Sequence, residues 1–200
     1  MKPLRIGFCG PQGAGKSTTV DVISRELSRL HWSDFRLHAI DSVYRGVATM
    51  LEVSREALES ASLKDEPWTE ATAPVPALAG RSPRNVIDSI AGYLRLEFGS
   101  SVLAELWGRR SIALGVDVVF NDAVRFPCEL EHLDVVIELT RTGVAYDGTK
   151  YNSRLPDYCI DFTHSLDDPE AVRWLVHSIL VWRERLECGE PVLAAVEDEA

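Results

Sequence analysis

The stretch GPQGAGKS, Gly10 to Ser17, follows directly on the apolar run LRIGFC and precedes a segment where Val20, Ile23, Leu27 and Leu30 recur at helical spacing. It fits G-x-x-x-x-G-K-[ST] without a mismatch, and its chemistry requires a strand before it and a helix after it. The glycines let backbone N–H groups curl around phosphate oxygens, where a side chain would collide. The helix start adds the positive end of its dipole. Residues 4–9 are therefore expected to form a buried strand, and Lys16 to Leu30 an amphipathic helix. Gly10, Gly13, Ala14, Gly15, Lys16, Ser17 and Thr18 would line a nucleoside triphosphate. Lys16 would neutralise its β and γ phosphates, and the Ser17 hydroxyl would ligate Mg²⁺.

The rest of the chain alternates strand and helix signals. FRLHAI reads as a second strand ending at Asp41, with a helix from about Ser42. KDEPWTEATAPVPALAG is proline-rich and aperiodic, so it predicts a loop with at most a short turn. SPRNVIDSIAGYLRLEF resumes helix, with Pro83 in the first turn after Ser82. In SVLAELWGRRSIAL a further helix is expected to gather Val102, Leu103, Leu106 and Trp107 on one face. VDVVF, LDVVIEL and YCIDFT read as strands, Val172 to Leu180 marks a closing helix, and the tail EDEA is acidic. Such alternation implies an α/β fold: a parallel sheet covered on both faces, in three layers. Two hundred residues without an internal repeat or composition break predict one domain spanning 1–200.

The second metal-holding group should be an acid at the end of another central strand. Asp122, directly after VDVVFN, takes that position, with Asp117 the weaker candidate and a turn-capping role for Asp122 the alternative. No N-K-x-D tetrapeptide is present, which argues against a guanine-nucleotide switch. A net charge of −10 argues against sequence-independent nucleic-acid binding but leaves room for a local basic cleft. Arg45, Arg81, Arg84, Arg125, Arg141 and Arg154 lie in loops and helix starts. Arginine suits phosphate oxygens because its planar fork binds them bidentately. Arg125 stands out because it follows Asp122 by three residues, near the sheet edge where α/β proteins bind ligands. Four scattered cysteines predict reduced thiols, and five dispersed histidines read as incidental. With no membrane span or signal peptide in the pattern, a cytoplasmic location is expected.

Several segments together resemble the phage-type deoxynucleoside monophosphate kinases of the P-loop nucleoside monophosphate kinase superfamily. AIDSVYR is similar to the family's F-A-D-P-L-[KR] element, LKDEPW to its K-D-x-P, and SPRNVIDSIAGYLRLEFG with the later LW to its S-P-R helix region. NDAVRFPCEL resembles D-D-V-R-F-x-N-E. The resemblance runs from Leu4 to about Glu138. It implies a five-stranded parallel sheet and an arginine-bearing lid, roughly residues 141–158. It also implies that Asp41 and Arg45 approach the acceptor nucleotide, that Arg84 reaches its phosphate, that Asp122 and Arg125 serve metal and phosphate, and that Arg141 opens the lid. Departures are concentrated where the acceptor base and lid contacts should be. Asp88 replaces a Gln, Ala123 replaces the second Asp, Gly92 to Arg95 replace T-E-x-G-R, and the lid lacks His-x-Ser-Glu.

The expected activity is ATP-dependent phosphoryl transfer to a nucleoside monophosphate, a deoxynucleotide with or without a modified base. Lys16, Arg125 and Arg141 would stabilise the transferring group, and Arg45, Arg84 and Asp88 would bind the acceptor. The rival is a P-loop kinase acting on a hydroxymethylated base in phage DNA, with Asp41 as general base. A third reading is a nucleotide-binding regulatory module or assembly ATPase. ATP, Mg²⁺ and a small-molecule nucleotide are the ligands these readings share, modified DNA belongs to the second, none involves a membrane, and a homodimer stays open.

Overall fold

The computed structural model describes residues 2–60, 62–149 and 152–193. They fall into two compact units, one within residues 2–38 and 107–193 and one within residues 39–106. The acidic tail, and Lys150 and Tyr151 of the expected lid, lie outside the described residues.

The first unit holds an all-parallel sheet of β1 (Leu4–Cys9), β2 (Asp34–Arg36), β3 (Val118–Asn121), β4 (Val135–Thr140) and β5 (Phe162–Ser165), in the order β2-β3-β1-β4-β5. Every residue of β1 and β3 is buried, as continuous apolar runs in a parallel sheet require. Side chains alternate across the sheet. Leu4, Ile6 and Phe8 of β1 join Val135, Ile137 and Leu139 of β4 in one core, with Val20, Ile23 and Leu27 of α1 (Lys16–Arg29) and Leu175, Ile179 and Trp182 of α6 (Ala171–Glu187). Burying each such side chain contributes roughly 1.5–3 kcal/mol. On the opposite face Cys9 and Val136 pack with Val124, Leu155 and Cys159. Gly7 has the same orientation; a Cβ there would lie 2.5 Å from Leu133 Cδ1, so the small residue admits that layer.

The second unit contains α2 (Asp41–Met50), α3 (Arg55–Glu59) and α4 (Pro83–Phe98), which pack on one another, and the start of α5 (Val102–Ala113). Val43, Val47, Leu58, Val86 and Ile87 are buried. The start of α4 follows from its sequence: Ser82 Oγ accepts the Asn85 N–H at 3.2 Å as N-cap, and Pro83 occupies the first turn.

Some expectations need correction. FRLHAI is strand only through Arg36, because Leu37 N donating to Phe120 O is its last ladder contact before α2 begins at Asp41. YCIDFT opens as a 3₁₀ turn, Asp157–Cys159, and the strand starts later, at Phe162. α3, too short to show a period, was absent from the sequence pattern. On α5, Leu103 and Trp107 are buried but Leu106 is exposed. Trp107 Nε1 donates to Leu37 O at 2.6 Å, which fixes that face of the helix. No described helix is long and apolar enough to cross a membrane.

Candidate active site

In this sheet the connection leaving β1 runs to β2 on one side, and the one leaving β4 runs to β5 on the other. Chains diverging from adjacent parallel strands open a crevice at their C-terminal ends, where α/β proteins bind ligands. The glycine-rich loop lies on one lip. Gly10 has φ 134°, and a Cβ there would sit 2.2 Å from Leu139 O of β4, so only glycine can leave the sheet at this point. Ala14 N closes a turn onto Pro11 O at 3.2 Å. Gly15, at φ 100°, precedes α1 and brings no side-chain cap, so the helix's first-turn N–H groups face the loop without one.

Three cations share this end of the sheet. Lys16 Nζ donates to the carbonyls of Gly10 and Pro11 at 2.8 and 2.9 Å, lying along its own loop. Burial, and then the Arg125 guanidinium, push the Lys16 ammonium below the ordinary lysine range, against the pull of Asp122. Arg141, the first residue after β4, sends its guanidinium to the helix start: a Cβ on Gly15 would be 3.4 Å from Arg141 Nη2. Arg125 is held through its backbone, its N–H donating to Glu129 Oε2 at 2.7 Å. In a chain of net charge −10, three cations thus lie at one end of the sheet, with the Asp122 charge acting on Lys16 and Arg141 acting on Asp167.

Asp122 follows β3 and is buried. It does not cap the turn; Asn121 Oδ1 does, accepting the Ala123 N–H at 3.1 Å. Asp122 Oδ1 contacts His38 Nε2, and Oδ2 lies 3.6 Å from Arg36 Nε. Burial alone would raise the Asp122 carboxyl. Hydrogen bonds from the His38 and Ser17 side chains, and the His38 and Arg36 charges, outweigh it and hold the group at about 2. Oδ2 remains buried without a hydrogen-bond partner among the described residues. Mg²⁺ takes hard oxygen ligands and keeps much of its shell as water and phosphate oxygen. The unpartnered Oδ2, on a carboxylate that the Ser17 side chain also meets, fits that requirement. Among the described residues no group of three or more His, Cys, Asp or Glu side chains could hold a metal by itself. Asp117, the weaker candidate, precedes β3 at the opposite end of the strand, where it accepts from Ser33 N and Oγ at 2.8 and 2.7 Å.

The first unit thus brings Lys16, Ser17, Asp122, Arg125 and Arg141 together. The remaining sequence candidates lie in the second. Buried Asp41 accepts from Arg55 Nη2 at 2.5 Å, and Arg55 also binds Glu59 at 2.7 Å. Arg84 pairs with Asp65 through Nε and, at 3.3 Å, through Nη2. Burial, then the Glu59 charge, raise the Tyr44 hydroxyl, with the charges of Arg84 and Asp88 also acting on it, so Tyr44 joins these residues. Arg45 is exposed. Arg81, Asn85, Asp88 and Ser89 line a shallow depression of about 390 Å³.

Arg36, His38, Glu138 and Asn152 were not foreseen. Arg36, the last residue of β2, and His38, two residues beyond it, both reach Asp122, so His38 is not incidental. Buried Glu138, inside the β4 apolar run, accepts from Arg154 Nε and Nη2, both at 2.7 Å, from Tyr146 OH at 2.9 Å and from Thr163 Oγ1 at 3.2 Å. A carboxylate within an otherwise apolar strand was its signal. Nothing in the local sequence marks Asn152. No family model matches the chain, and comparison with curated proteins finds no match.

Proposed function

We propose that the chain is a P-loop kinase that transfers the γ-phosphoryl group of ATP to a nucleoside monophosphate, a deoxynucleotide with or without a modified base. The observation that carries this reading is the convergence of Lys16, Arg125 and Arg141 on an uncapped helix start beside a buried, ionised Asp122. Triphosphate oxygens would take the first-turn N–H groups of α1 and draw Lys16 Nζ away from the Gly10 and Pro11 carbonyls. Asp122 and Ser17 would hold Mg²⁺, which when bound supplies charge neutralisation at the donor phosphates.

An oxygen of the acceptor phosphate attacks the γ phosphorus as the bond to the β–γ bridging oxygen breaks, and ADP leaves with that electron pair. The attacking oxygen is already ionised, so no general base is needed. Lys16, Arg125 and Arg141 balance charge spread over the transferring group. Arg45, Arg84 and Asp88 would recognise the acceptor, and residues 141–158 would form the lid.

Arginine clamps suit a phosphate acceptor. Transfer to a base hydroxyl in DNA would instead need Asp41 to accept a proton, and Arg55 already occupies its Oδ1. The test is a coupled ADP-release assay against every ribo- and deoxynucleoside monophosphate, run beside hydroxymethylated DNA. ADP release with at least one free monophosphate is expected. Transfer to modified DNA alone would establish the rival, and ATP binding without release to any acceptor would favour a regulatory or assembly role.

A further inference from the structure

The glycine-rich loop has to keep its amides aimed at phosphate before any phosphate arrives. Gly10 is seated against β4 and Ala14 is tied to Pro11, but neither contact holds the outer bend. The Gln12 N–H lies on that bend, and it donates to Asn152 Oδ1 at 2.9 Å. The two residues are 140 positions apart, and Asn152 is 7% exposed although its neighbours Thr149 and Ser153 are exposed. Because a backbone N–H can only donate, the Asn152 atom facing it must be the carbonyl oxygen, which fixes the orientation of the amide. The Asn152 side chain also hydrogen-bonds the Asp147 carboxylate, so its NH₂ group is engaged as well.

The segment carrying Asn152 is itself fastened. Tyr146 on one side and Arg154 on the other both donate to Glu138, one residue before the Leu139 carbonyl that seats Gly10. Leu155 is buried with Cys9, the last residue of β1. Loop and strap are therefore referenced to the same two strands, β1 and β4, and Asn152 is the side chain that joins them.

We infer that Asn152, held in place by the Glu138 anchorage of Tyr146 and Arg154, is a positioning residue that pre-organises the glycine-rich loop for the triphosphate. This rests on the kinase reading for its ligand but not for its geometry. Asn152 touches the loop backbone on Gln12 and acts on phosphate only through it. Its loss therefore weakens donor binding and leaves acceptor recognition in place.

Amide hydrogen exchange of the ligand-free chain, with calorimetric titration by MgATP, tests this on Asn152→Ala and Asn152→Asp. Loss of one such hydrogen bond is expected to speed Gln12 exchange and weaken MgATP binding, each by roughly 5- to 10-fold. The acceptor KM should stay within about twofold. Asn152→Asp, made with Asp147→Asn so that no second carboxylate faces the new one, retains an accepting oxygen and should restore most of the Gln12 protection. Unchanged Gln12 exchange in a folded Asn152→Ala protein would overturn the inference, and so would an Asp variant as unprotected as the Ala one. Unfolding of Asn152→Ala leaves the Asp variant to decide. Exchange requires no ligand, so it tests the brace even if the chain binds no ATP; Lys16→Ala titrated alongside reports separately on the kinase reading.

Discussion

The sheet unit and the helical unit treat charge in opposite ways. At the C-terminal edge of the sheet, Lys16 lies under the charges of both Arg125 and Asp122, and the Arg141 guanidinium reaches the start of α1. In the helical unit each prominent charge has a local counter-ion: Asp41 has Arg55, Arg55 also has Glu59, and Arg84 has Asp65. Where one cation presses on another, as Arg125 does on Lys16, a ligand of opposite sign relieves the repulsion. A region of closed pairs binds an anion only by exchanging one partner for another. On the proposed reading the first would take a triphosphate, and the second would engage an acceptor by opening an ion pair.

Substitutions in the two regions should differ in size accordingly. The largest effect is expected at Gly10. Its Cβ would meet a backbone oxygen at 2.2 Å in a φ region that L side chains avoid, so Gly10→Ala should cost about 3–5 kcal/mol. Thermal unfolding should show a Tm lower by roughly 10 °C. An unchanged Tm would mean the loop is not seated against Leu139.

Asp122→Asn comes next. It keeps the shape and removes the charge facing Ser17, so turnover should fall on the order of 100-fold with a higher Mg²⁺ requirement. A wild-type rate would remove Asp122 from the metal site. The same variant has a pH signature. The Asp122 carboxyl is held at about 2 against an ordinary 3.8, so its contribution, on the order of 2 kcal/mol, is complete above about pH 4 and is lost as pH falls through 2. Acid titration of stability should show this loss in the wild type and not in Asp122→Asn.

The smallest effect belongs to the helical unit. Arg84→Ala should raise the acceptor KM about 10-fold while ATP binding stays constant, and Arg84→Lys should recover only part, because a point charge cannot reproduce the fork. An equal loss in ATP affinity would erase the distinction between the two regions.

The sheet unit was the more legible in the sequence, for a physical reason. Backbone demands such as the φ of Gly10 and Gly15 restrict residue type at fixed spacing, and unbroken apolar runs mark strands buried on both faces. The acid after β3 follows from the same logic. Contacts between residues remote in sequence leave no such pattern. Asn152 reaching Gln12, Arg154 reaching Glu138 and His38 reaching Asp122 depend on where the fold carries each side chain. In the helical unit Pro83 and Ser82 announced α4, but nothing local signalled that Arg55 would hold Asp41 or that Asp65 would hold Arg84. The five residues of α3 span little more than one turn, too few to show a period.

The central claim is that the cations at the end of the sheet form a triphosphate site built around Lys16. Calorimetric titration of the wild type and of Lys16→Ala with ATP, with and without Mg²⁺, addresses it directly. The wild type should bind ATP more tightly with Mg²⁺ present. Lys16→Ala should remain folded and bind at least about 10-fold more weakly, as removal of a charge-assisted contact implies. Equal affinity in the two proteins, or no binding by the wild type, would contradict the account.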